Sequence, residues 1–142
     1  MPSTQIGTIL SDFLALYSGV FTTGSYINIS ELTPDINYYA SIVFAEANVS
    51  RVVTNNTKFT YNFDLIVYIN NVTANDLNNR IEFVMDNILT IANYDENPNF
   101  RAFCGNYQLI NAGIPVAIRT GQGLLLDKNQ EMVVASFGFY KN

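Results

Sequence analysis

The chain reads as an α+β domain: an antiparallel or mixed sheet that includes a long β-hairpin, flanked by two amphipathic helices. Three stretches predict this. In FTYNFDLIVYIN, Phe59, Tyr61, Phe63, Leu65, Val67 and Ile69 share one face; Thr60, Asn62, Asp64, Tyr68 and Asn70 share the other, with Ile66 the one aliphatic interruption. A period of two is that of a half-buried strand. In TANDLNNRIEFVMDNILTIA the period changes. Leu77, Ile81, Val84, Ile88 and Ile91 recur at spacings of three and four, which makes one helix face apolar. Upstream, Ile36–Ala47 is rich in aromatic and β-branched residues, as a strand covered on both faces would be. The polar stretch from Asn48 to Lys58 joins the two strands as a long hairpin, with a turn at Asn55 and Asn56, a residue type that tolerates left-handed backbone.

The remaining elements follow in order. Ser3–Val20 is the first helix, with Ile6, Ile9, Leu10, Phe13, Leu14 and Tyr17 on one face, Ser3 or Thr4 to cap its start and Gly19 to end it. Phe21–Asp35 is a loop containing a brief strand at Tyr26–Ile29. Thr73, with Asp76 three residues on, resembles a capping box for the second helix. Asn93–Asn99 is a polar loop around Pro98, and Phe100–Gly113 carries short apolar groups. Val116–Ile118 can pair in the sheet, with Pro115 allowed at a strand's first residue. Gly121-Gln-Gly123 and Asp127–Gln130 are turns, and Met132–Tyr140 is the last strand. The length of 142 residues suits one domain, residues 1–142.

Composition narrows the function. Only 13% of residues are charged, against roughly 25% in an ordinary soluble domain. Asn, Thr, Ser, Gln and Tyr stand in their place. Such a surface is polar yet costs little to desolvate when its groups find partners. It fits extensive protein–protein contact, and equally an Asn-rich coding bias. The net charge of −5, with the seven basic residues spread thinly, leaves no cluster to grip a phosphate backbone. An acidic chain can still line a channel through which DNA passes, because repulsion prevents sticking.

The sequence has no His, which removes the commonest general base and metal ligand. Its single Cys, Cys104, excludes an internal disulfide and a multi-thiolate zinc site, and without a His to activate it reads as a small hydrophobe. No apolar run approaches ~18 residues, so no membrane span is expected, and no basic region precedes the first apolar stretch as in a secretory signal. Gly121-Gln-Gly123 lacks the Lys-Ser/Thr of a phosphate loop. Asp95-Glu96 is the only adjacent acidic pair, in a polar loop. No catalytic residue, cofactor or metal is therefore assigned. In an acidic chain the few cations, together with a mid-strand acid, are the natural candidates for contacts between subunits: Arg51 and Lys58 flanking the hairpin turn, Asp64, Arg101 after the second helix, and Arg119 before Gly121. Each of these also reads as a solvated surface charge.

In layout the chain resembles the tail terminator (tail completion) proteins of long-tailed bacteriophages, lambda type. The resemblance rests on the N-terminal helix TQIGTILSDFLALYSGV before a long loop, on the central FDLIVYINNVTANDLNNRIEFVMDNILTIA running from strand to helix, and on the C-terminal strand MVVASFGFY. It covers nearly the whole chain but includes no compact motif of functional residues. It implies a non-enzymatic virion protein of the tail or neck, assembled in the host cytoplasm. Such proteins form a homohexameric ring that caps the tail tube, ends its polymerisation and presents the head–tail joining surface. The implied partners are copies of the chain, the tail tube protein and the head–tail connector protein, with DNA only as passing cargo and no membrane. Two other readings remain at this point: another neck, tube or baseplate subunit, which would polymerise, and a small-ligand binding module, which would need a deep pocket with convergent polar groups.

Overall fold

The computed structural model describes residues 3–24, 33, 35–53, 56–70, 75–112, 115–120 and 130–141. It is an α+β fold. Helix α1 (Ser3–Ala15) and a short strand β1 (Thr22–Thr23) precede the hairpin of β2 (Tyr38–Val53) and β3 (Asn56–Ile69). Helices α2 (Leu77–Ile91) and α3 (Pro98–Asn106) follow, then strands β4 (Tyr107–Ala112), β5 (Val116–Thr120) and β6 (Gln130–Lys141). The sheet order is β1-β2-β3-β6-β4, with β5 also on β6. β1 runs parallel to β2 and all the other pairs are antiparallel. The far edge of β6 is divided: β5 pairs with Gln130–Val134 and β4 with Phe137–Lys141.

The alternation of β3 does what its period requires. Tyr61, Phe63, Leu65, Val67 and Ile69 are buried, and Val133, Ala135, Phe137 and Phe139 of β6 continue the same face. All three helices supply the opposing layer: Ile9 and Phe13 of α1, Tyr17 just past its end, Val84, Ile88 and Ile91 of α2, and Phe100 and Phe103 of α3. Phe13 is the centre. Its ring lies 4.7–6.5 Å, centroid to centroid, from those of Tyr17, Phe63, Phe100, Phe103, Phe137 and Phe139. Tilted and edge-on pairs of this kind add to the stabilisation from burial alone.

Four expectations change in detail. The first helix stops at Ala15; from Leu16 to Phe21 the backbone turns through i→i−3 bonds such as Leu16 N–H to the Phe13 carbonyl (3.1 Å) and Val20 N–H to that of Tyr17 (3.1 Å), a tighter winding that still buries Tyr17 and Phe21. The second helix begins at Leu77, so Asp76 sits at its N-cap rather than inside the first turn, and its side chain makes no capping bond. Thr73, the Tyr26–Ile29 strand, Asn55 of the hairpin turn and the Gly121–Gly123 turn lie outside the described residues. A third helix occupies part of the expected loop. Asn97 caps it, its side chain accepting from the N–H groups of Asn99 and Phe100 at 2.9 and 3.3 Å, and Pro98 fills its first position. Finally, Tyr68 is buried although it lies on the face opposite the helices, where with Tyr39, Ile36, Ile66 and Met132 it forms a second, small cluster.

Asn70 closes the end of the hairpin. Its N–H donates to the Asn37 carbonyl at 2.8 Å, and its side-chain amide donates to the carbonyls of Thr33 and Ile36 at 3.2 and 2.9 Å. Arg80 from α2 donates to the same Asn37 carbonyl at 3.0 Å. Gly24 lies close under Tyr39: a Cβ there would stand 2.1 Å from the hydroxyl, and the ring would have to move.

Two expected outcomes follow from the core. Val84→Asp puts an unpaired charge at a fully buried position and costs several kcal/mol, enough to abolish the cooperative unfolding transition in denaturant; a soluble, cooperatively folding variant would contradict the packing. Tyr17 carries a buried hydroxyl with no partner among the described residues, and burial pushes its ionisation above the ordinary value of 10.0. Its contribution to stability is full below about pH 10 and is lost above it, as the unfolded chain ionises first. Tyr17→Phe should therefore fold with equal or greater stability, by up to about 1 kcal/mol, and its stability should decline less steeply in alkali when chemical denaturation is followed against pH.

Candidate assembly surface

The hairpin is the feature of the fold that packing does not explain. Its strands are 16 and 14 residues long, against a usual five or six. β6 covers β3 only from Ile69 to Thr60, where Thr60 stands opposite Tyr140. Residues 56–59 pair with β2 alone among the described residues, so the hairpin runs past the sheet by ~14 Å at roughly 3.4 Å per residue. Two register shifts, at Phe44/Glu46 and Arg51/Val53, put extra residues into β2 and increase its local twist.

The candidate residues divide between this projection and the sheet. Arg51, opposite Thr57, and Lys58, opposite Ser50, both lie on the projecting segment. Arg119 lies in β5 opposite Glu131 of β6. Asp64 lies mid-sheet, on the face turned away from the helices, flanked by Val43 of β2 and Ser136 of β6. It is half-buried, and its Oδ1 accepts a 2.6 Å hydrogen bond from the Ser136 hydroxyl. A shallow groove of about 440 Å³ opens beside it, lined by Ile42, Val43, Phe44, Asp64 and Ile66.

Arg101 has a local role. Its Nε donates to the Tyr94 carbonyl at 3.1 Å and a terminal nitrogen to that of Asp95 at 2.8 Å, with the guanidinium 5.8 Å from the centre of the Tyr94 ring. In the same loop, Asn93 Oδ1 accepts from the N–H groups of Asp95 and Glu96 at 3.0 and 3.2 Å. Arg80 reaches from α2 to β2: it donates to the Tyr38 hydroxyl at 3.3 Å and lies 4.9 Å from that ring's centre. Phe83, on the same helix, stacks toward Tyr38 at 5.1 Å and remains 43% exposed. Sequence reading missed this aromatic contact, because the sole available signal was an apolar residue off the buried stripe.

No group of three or more His, Cys, Asp or Glu residues able to hold a metal occurs among the described residues. Cys104 is half-buried and burial pushes its thiol up, away from the reactive thiolate. Asp35, whose carboxyl is held below its ordinary value by the Thr33 hydroxyl, is fully exposed. Among the described residues no helix is long and apolar enough to cross a membrane. The sequence matches no protein-family model and no curated protein.

Arg101→Ala should loosen the 93–97 loop without changing the particle mass. Amide hydrogen exchange at Asp95 and Glu96 is expected to rise severalfold while the mass from light scattering stays put; a change in mass would place Arg101 in an interface.

Proposed function

We propose that this chain is a structural virion subunit that assembles head to tail into a ring, capping the tail tube of a long-tailed phage, ending its polymerisation and presenting a surface to the head connector. The hairpin carries this reading. A strand pair that outruns its own sheet leaves paired backbone for a neighbouring subunit, and a projection on one side of a subunit makes a heterologous contact, which gives a ring where the rotation between subunits closes. The charge density of 13% supports it, since large buried surfaces are poor in ions. The order of elements supports the tail-terminator assignment in particular: an N-terminal helix, a central strand leading to α2, and a last strand lying against that central strand. On this reading the partners are other copies of the chain, the tail tube protein and the head–tail connector, and DNA passes through the lumen of a ring in the virion neck.

Light scattering at two protein concentrations and two salt levels tests it. The expected mass is that of about six chains of 15.9 kDa, lower at high salt where exposed ion pairs are screened. A monomer mass under every condition would contradict the ring.

A further inference from the structure

We propose that the groove beside Asp64 receives a cationic side chain from the hairpin of a second copy of this chain. The inference rests on the ring reading above and names its contact. The groove combines one carboxylate with aliphatic walls from Val43 and Ile66. That combination suits the side chain of a lysine or arginine, whose methylene stem packs on apolar surface while its head meets an anion. The carboxylate is already oriented, because Ser136 holds Oδ1 from the neighbouring strand and leaves Oδ2 without a partner among the described residues.

The cations of the hairpin and the helices do not reach the groove of their own subunit. Arg80 and Arg101 are engaged with backbone carbonyls elsewhere. Lys58 lies six residues before Asp64 on the same strand, and Arg51 is opposite Thr57, seven residues away. At roughly 3.4 Å per residue these separations are about 20 and 24 Å, beyond the reach of either side chain. Charge pairing between the hairpin and the groove is therefore intermolecular by geometry. Since the two features occupy different places on the subunit, the contact is heterologous, as a ring needs.

The test uses the whole chain and reads particle mass against concentration, with circular dichroism melts showing that each variant is folded. Asp64→Asn keeps the shape and the Ser136 bond but removes the charge; it should raise the concentration for half-assembly at least tenfold and weaken its salt dependence. Asp64→Lys, Arg51→Glu and Lys58→Glu should each assemble poorly alone. An equimolar mixture of Asp64→Lys with one of the two hairpin variants should recover wild-type mass. In an alternating ring the introduced lysine then faces the introduced glutamate, and the native acid faces the native cation at the next junction. Wild-type assembly with Asp64→Asn unaffected would overturn this inference alone, as would the failure of both mixtures. A wild-type chain that stays monomeric would overturn the ring reading with it.

Discussion

The burial of Phe13 is the contact on which the rest of the fold depends. A single ring from α1 meets side chains from β3, β6 and α3, so it joins the first, central and last segments of the chain in one place. Phe63, Phe137 and Phe139 form the sheet side of this cluster, with near-parallel rings: Phe63 of β3 lies at 24° and 18° to Phe137 and Phe139 of β6, which are at 6° to each other. Large aromatics placed opposite one another fix register as well as stability, because a slip of one residue would turn the whole set to the other face. The β3–β6 register, in turn, brings Ser136 alongside Asp64. The aromatic core thus determines the geometry of a polar site on the opposite side of the sheet.

That division of labour explains the unusual length of the hairpin. Its inner half, from Tyr38 and Ile69 to the region of Phe44 and Phe63, is held by the core and by the Asn70 and Arg80 bonds to the carbonyls of Thr33, Ile36 and Asn37. Tyr61 is the last β3 position described in the core, and beyond Thr60 the two strands pair only with each other among the described residues. An exposed two-stranded ribbon is marginal by itself. On the proposed ring reading, the stable half is the base from which the projecting half meets another subunit.

Much of the fold was legible in the sequence. The alternation from Phe59 to Asn70 and the three-and-four spacing from Leu77 to Ile91 each signal one buried face, and burial of that face is what the structure realises. The hairpin was legible because two strand-like runs are separated by Asn-rich, turn-forming sequence. Helix α3 was not: its nine residues offer only Phe100 and Phe103 as buried positions, too short a pattern to establish a period, although Asn97-Pro98 was an available start signal. Strand β1, two residues long, has no periodicity at all. At the candidate site, Asp64 was visible as an acid in mid-strand. Its partner Ser136 lies 72 residues away, so the half-burial and orientation of the carboxylate depend on a register that local sequence does not encode. Arg101 looked like a free cation for the same reason, since its partners are loop carbonyls, which composition cannot show.

The central claim is that this fold closes into a ring, and negative-stain electron microscopy of the purified chain examines it most directly. The account predicts class averages of a closed particle with rotational symmetry and a central opening. Open filaments, or compact particles with no opening, would contradict it.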